Sequence, residues 1–155
     1  MNQNLQASLD RPRITVAALV CQDDRFLFVE ERDVQGTQVI NQPAGHLEFG
    51  ETVLEGVVRE ALEETGWHVE PISVVGIYLW GPPDQSISYL RVAVEAKAVR
   101  FDAERPLDEG IDQAVWMTLD ELKARQALHR SPLVRQCVED FLSGERFPLA
   151  LLKSF

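Results

Sequence analysis

The stretch from Gly45 to Trp67 constrains the chain more than any other, because it sets both ends of one helix and places charge on a single side of it. Thr52 followed three residues later by Glu55 predicts a capping box, in which each side chain satisfies a backbone N–H that the first turn leaves without a partner. The helix therefore starts at Val53. Gly66 offers the left-handed position at which helices stop, and Trp67 beyond it can fold back onto apolar neighbours, so the helix ends near Thr65. At roughly 100° per residue, Glu60 set at zero puts Glu63 near roughly 300° and Glu64 near roughly 40°, so three carboxylates share about one quadrant. Leu54, Val58, Ala61 and Leu62 fall between roughly 100° and 200° on the same wheel. The pattern predicts a helix that buries this apolar side and offers the acids to solvent.

Such an arrangement suits a hard divalent cation, but acidic residues at these spacings also form plain solvated helix faces. Like charges three or four residues apart cost only roughly 0.2–0.5 kcal/mol per exposed pair, so repulsion alone does not demand an ion. The surrounding punctuation separates the two readings. Pro43, Gly45 and Gly50 precede the helix in one loop, and a merely solvated face has no use for them. Arg59 lies at the edge of the acidic face, where a guanidinium can grip a carboxylate through two parallel hydrogen bonds, and Glu51 is its nearest candidate.

The positions Gly45, Glu51, Arg59, Glu60, Ala61, Glu63, Glu64, Gly66 and Trp67 resemble the box of the Nudix hydrolases, a strong signal at this length. The resemblance implies an α/β fold, specifically the Nudix-type alpha/beta/alpha sandwich with a mixed central sheet. It implies that the Gly45 carbonyl joins Glu60, Glu63 and Glu64 around Mg2+, with Mn2+ as a substitute, an all-oxygen site unsuited to zinc. Glu60 is the base or water-orienting residue in that scheme and overlaps with the ligands, while Arg59 and Glu51 form the supporting catalytic pair. A cation so held would neutralise the oxygens of a diphosphate and activate water for attack at phosphorus. The flanking strings Asn41 to Glu48, Arg130 to Val134 and Ser143 to Leu149 resemble one bacterial phosphatase branch of the family. That likeness implies release of phosphate from nucleoside tri- and diphosphates, and action on the thiamine precursor hydroxymethylpyrimidine diphosphate. Two positions depart from the wider family. Ala44 stands where a glycine is common, and Gly110 stands where many relatives carry a loop carboxylate, a role for which Asp108, Glu109 and Asp112 are the local candidates. The alternative reading is a non-catalytic nucleotide-sensing module that regulates a partner; the intact acidic set disfavours it.

Length and charge narrow the remaining classes. A chain of 155 residues, 45% hydrophobic, fits one domain over residues 1–155, with 1–11 a flexible N-terminal segment. The polar start and the short apolar run Ile14 to Cys21 predict a cytoplasmic protein with no membrane partner. Cys21 and Cys137 sit far apart in no metal or redox motif and read as reduced thiols. A net charge of −10 argues against a nucleic acid polymer or an anionic membrane. A small phosphorylated substrate remains compatible, because a bound cation and a few of the twelve arginines reverse the field within one cleft. Monomer and homodimer stay equally open.

The remaining elements read as strands over 13–22 and 25–30 joined in a hairpin, 38–42, 72–80, 88–99 and one ending at Trp116. Thr118 with Glu121 opens a second helix, and Ser131 with Pro132 opens a third that stops at Gly144. Candidate substrate contacts lie on these strands. Trp80, Tyr78 and Tyr89 can stack on a ring, Arg13 and Arg91 can meet a terminal phosphate, and His46 follows the loop glycine. Core packing for the aromatics and ion pairing for the arginines are the plainer alternatives.

Overall fold

The computed structural model describes residues 11–84 and 86–155, so all of the expected flexible N-terminal segment except Arg11 lies outside the described residues. Among the described residues there are seven strands and three α-helices: β1 (Arg13–Gln22), β2 (Arg25–Arg32), β3 (Gln38–Asn41), β4 (Ala44–His46), α1 (Val53–Thr65), β5 (Trp67–Trp80), β6 (Tyr89–Phe101), β7 (Ile111–Met117), α2 (Leu119–Ala124) and α3 (Leu133–Ser143). The strands form one mixed sheet ordered β3-β2-β1-β6-β5, with β4 added to β1 and β7 added to β2. The β1–β6 pair is parallel and the others are antiparallel. Among the described residues no helix is long and apolar enough to cross a membrane.

The expected β1–β2 hairpin exists only at its tip. Asp23 and Asp24 turn the chain at positive φ, 51° and 61°, which Asp tolerates better than most residues. Pairing then lasts for two rungs, Cys21 with Phe26 and Gln22 with Arg25, before the strands part. β1 continues between β4 and β6, while β2 continues between β3 and β7. The cause lies in the strands themselves, since Thr15–Val20 and Phe26–Glu31 are unbroken buried runs. A strand buried on both faces needs layers above and below it, which a lone hairpin cannot supply.

α1 packs against β1, β4, β5 and β7, spanning the place where the two strands separate. Its Val57 and Ala61 join Val16, Val20, Leu27, Val92 and Val94 in the main apolar cluster. On the opposite face, Leu133 and Cys137 of α3 cover Leu19, Val75 and Ala93, and α2 and α3 together close a third cluster around Phe28 and Ile40. This is the mixed α/β sandwich that the resemblance implied. β5 begins at Trp67, five residues before the expected start. It runs along the sheet edge through three register shifts, where Pro71 can forgo its missing N–H. Both capping boxes form, and Gly66 and Gly144 end their helices at φ 76° and 87°. The start of α3 lies one residue later than expected: Pro132 is the N-cap rather than the first helical residue, without a side-chain cap, and Ser131 just before it accepts from the Leu133 N–H at 3.2 Å.

Candidate active site

The acidic face of α1 does not look outward. Glu60 and Glu64 are 8% and 6% exposed, and the buried arc of the helix comprises Gly56, Val57, Glu60, Ala61, Glu64 and Thr65. Leu54, Val58 and Leu62, expected to be innermost, are only partly buried. The helix is therefore rotated from the hydrophobic-stripe expectation, so that two carboxylates enter the crevice where the sheet divides. Polar groups are buried only when something holds them, and the holders are identifiable. Glu64 Oε1 accepts from the Ala44 N–H at 2.7 Å, and Glu60 Oε1 accepts from Arg59 Nη1 at 2.8 Å. Glu63 Oε2 accepts from the same Nη1 at 3.2 Å.

Arg59 is the organising cation. Its Nε and Nη2 reach Glu51 Oε2 and Oε1 at 2.9 and 2.6 Å, a two-point fork, and Nη2 also donates to the His46 carbonyl at 3.1 Å. Glu51 accepts in addition from the Glu48 N–H at 2.8 Å, so the loop before the helix is pinned to the helix itself. The Arg59 hydrogen bonds hold the Glu51 carboxyl below the usual range, so it stays ionised. Burial raises Glu60, with the charges of Glu63 and Asp108 adding to it against the pull of Arg59. Burial pushes Glu64 up to about 9, and Glu31, Glu60 and Asp108 act in the same direction.

These features fit a divalent cation. The donor set is all oxygen, and buried Glu64 meets a backbone N–H but, among the described residues, no cationic side chain, so its ionised form lacks compensation. Gly45 supplies the necessary space: it pairs with Val16 in β4, and a Cβ there would collide with the Glu60 carboxylate. Among the described residues no three His, Cys, Asp or Glu side chains already converge as a closed cage. Arg59 draws Glu60 and Glu63 toward itself instead.

The remaining sequence candidates separate into two groups. Arg13, Tyr89 and Trp80 occupy one rung across β1, β6 and β5, and His46, Thr15, Arg91 and Tyr78 occupy the rung two residues on. Residues two apart share a sheet face, and here it is the face under α3, where Tyr78 donates to Asp140 at 2.8 Å. Gly45 and Val16 point to the α1 side between them. His46 is exposed, and its pKa is lowered by partial burial and by the charges of Arg13 and Arg130. Trp80 and Tyr89 stack at 6.1 Å with 18° between their planes. Arg91 is not brought to the surface: it is 7% exposed and donates to Gln42 Oε1 at 3.0 Å and Asn41 Oδ1 at 3.1 Å. Its work is internal, since Gln42 in turn donates to the Val134 carbonyl at 2.7 Å and ties the loop to α3.

Of the loop carboxylates, Asp112 is paired with Arg32 at 2.9 Å and Glu109 is exposed. Asp108 comes nearest the acids, its N–H donating to the Glu63 carbonyl at 3.0 Å. Sequence reasoning missed Glu31, 8% exposed, which pairs with Arg130 at 2.8 Å and whose charge acts on Glu64. The partners lie 99 residues apart, beyond the reach of any local pattern.

A family model described as the NUDIX domain matches residues 11–137. Phosphatase NudJ of Escherichia coli strain K12 is 36% identical over 145 residues, covering 94% of this chain and 93% of that protein. Phosphatase NudJ of Shigella flexneri gives the same figures. Among solved structures, a NUDIX hydrolase from Nitrosomonas europaea superposes with a TM-score of 0.91 at 46% identity, covering 94% of this chain and 98% of that one. A UDP-X diphosphatase, at 17% identity and a TM-score of 0.69 over 94% of this chain and 73% of its own, shares the fold.

Proposed function

Because the chain belongs to the Nudix hydrolase family, we propose that it is a Mg2+-dependent phosphatase acting on nucleoside tri- and diphosphates or related organic diphosphates, hydroxymethylpyrimidine diphosphate among them. The family is typically dependent on a divalent metal, and phosphatase activity is what the name of the NudJ relatives states. The observation that carries the reading is the pair of buried carboxylates, Glu60 and Glu64, facing the side-chain-free Gly45. Burying two acids side by side is costly without a cation to compensate them.

In this reading Glu60, Glu63, Glu64 and the Gly45 carbonyl hold the ion, with Mn2+ as a substitute. The bound ion would neutralise phosphate oxygens and lower the pKa of water near the scissile bond. Glu60 orients that water or takes its proton, a task served by the upward shift that burial gives it. Arg59, held by the Glu51 fork, keeps Glu60 and Glu63 in place. Arg13 and His46, on the α3 face, meet the phosphate end of the substrate.

The test incubates the protein with Mg2+ or Mn2+ against nucleoside di- and triphosphates, sugar nucleotides and thiamine-pathway diphosphates, measuring orthophosphate and pyrophosphate separately. Metal-dependent orthophosphate release that chelator abolishes is the expected result. Calorimetric binding of a nucleotide with no release over hours would transfer the assignment to a sensing module.

A further inference from the structure

The side chains of the acidic crevice are carboxylates and a guanidinium, chemistry suited to a cation and phosphate rather than to an organic ring. A second concavity has the chemistry for that. A cleft of about 520 Å3 lies between the end of β5 and the junction of α2 with α3, lined by Trp80, Gln126, His129, Arg130, Arg135 and Gln136 among others. The size falls in the range of roughly 300–1,000 Å3 that small organic ligands occupy.

One wall is flat and braced. Trp80 stacks on Tyr89, and the two share a rung with Arg13, so the indole is held as a platform. The other wall is fixed to the sheet next to the phosphate-handling loop. The Arg130 N–H donates to the Ile40 carbonyl at 2.9 Å and His129 bridges to Ile40, one residue before Asn41 and Gln42 lead into β4. The lining is locally basic, with Arg130 and Arg135 against Glu139 alone, in a chain of net charge −10. Arg135 is already paired with Glu139 at 2.8 Å. Arg130, whose side chain is 44% exposed, reaches from the cleft to Glu31 at 2.8 Å; Glu31 also accepts from Asn41 Nδ2 at 3.5 Å, three residues before Ala44, whose N–H donates to Glu64 at 2.7 Å. Arg130 thus stands between cleft and crevice.

We propose that this cleft is the subsite for the organic part of the substrate, a flat nitrogen heterocycle bearing the diphosphate, with Trp80 as stacking platform and Arg130 as the residue that meets the phosphate nearest the ring. The assignment rests on the phosphoanhydride-hydrolase reading above. Aromatic side chains stack on any base with little regard to sequence, and a guanidinium fork matches phosphate geometry.

The test compares ADP with methyl diphosphate, which has the anhydride but no ring, and adds metal-free titration of AMP, which has the ring but no anhydride. Trp80→Leu, which keeps an apolar side chain but removes the π face, should raise KM for ADP roughly 10- to 100-fold at little changed kcat, leave methyl diphosphate unaffected and abolish AMP binding. Trp80→Phe should restore most of the loss, and Arg130→Gln should raise KM for both diphosphates. An unchanged ratio of ADP to methyl diphosphate KM in Trp80→Leu, with both still hydrolysed, overturns the subsite and leaves the hydrolase reading standing. AMP binding lost in Trp80→Leu while the wild type hydrolyses neither diphosphate supports the subsite and overturns the hydrolase reading.

Discussion

Replacing Gly45 by alanine tests whether the site depends on the missing side chain. Gly45 is absent from the glycines with positive φ and lies in regular pairing with Val16, so alanine meets no backbone penalty there. The whole effect must come from the Cβ, which would run into the Glu60 carboxylate. Glu60 has little room to retreat, being 8% exposed, bonded to Arg59 at 2.8 Å and flanked by fully buried Val57 and Ala61. Overpacking of this kind costs about 1–3 kcal/mol. For a chain of this size each kcal/mol moves Tm by roughly 2–4 °C, so metal-free Gly45→Ala should melt roughly 2–12 °C below the parent. A displacement of Glu60 by about 1 Å should lower kcat by roughly 100-fold even at saturating Mg2+. Gly36→Ala is the control: its φ of 80° strains an alanine, but nothing lies near its Cβ, so stability should fall with kcat intact. Calorimetric melts and steady-state phosphate release read both quantities. Wild-type kcat and Mg2+ dependence in Gly45→Ala would refute the claim that Glu60 and Gly45 share one constricted site.

Arg59→Lys retains the charge but loses the fork to Glu51; with charge-assisted bonds contributing about 1.5–3 kcal/mol each and some solvent screening, kcat/KM should fall roughly 10- to 100-fold. Undiminished kcat/KM would remove Arg59 as an orienting group. Glu64→Gln keeps an acceptor for the Ala44 N–H and removes the cost of burying a carboxyl that burial pushes up to about 9, so the metal-free protein should melt at or above the parental temperature. The parent should gain roughly 2.7 kcal/mol from Mg2+ at a hundredfold excess over Kd, and the variant should lose that gain in the same thermal assay. An equal Mg2+ response in both would exclude Glu64 as a ligand. Burial pushes the Cys137 thiol up, so its contribution to stability is present below the unfolded value of about 8.5 and is lost as pH rises through the folded one. Cys137→Ala should flatten the decline of stability above roughly pH 8.5 in urea titrations, and an unchanged slope would count against a protonated buried thiol.

Local rules accounted for the ends of elements. Thr52 with Glu55, Thr118 with Glu121, and the stops at Gly66 and Gly144 act within a few residues, so the string of letters contains them. The facing of α1 was not legible, because a helical wheel ranks residues by apolarity and has no knowledge of what surrounds them. Val57 lies near Glu64 on that wheel, and the layer that buries Val57 buries the acids with it. The partial hairpin escaped for a similar reason, since two buried runs beside a tight turn look the same whether they stay paired or part. Arg91 illustrates the limit for binding residues. Its types of partner, Asn41 and Gln42, are visible in sequence, but its burial depends on α3 closing over the sheet some forty residues later.

The three residues of β4 form a partition. Ala44 and His46 lie on the sheet face under α3, Gly45 faces the acids, and the three are locked to β1 by rungs with Ala17, Thr15 and Val16 respectively. In the proposed reading, the groups that hold the cation and those that meet the organic part of the substrate lie on opposite faces of a wall one strand thick. Substitutions at Trp80, which stacks on Tyr89 and has no hydrogen bond to the acids, can then drift toward new molecules without disturbing Glu60 or Arg59, so descendants of this chain can diversify in diet while inheriting the same blade.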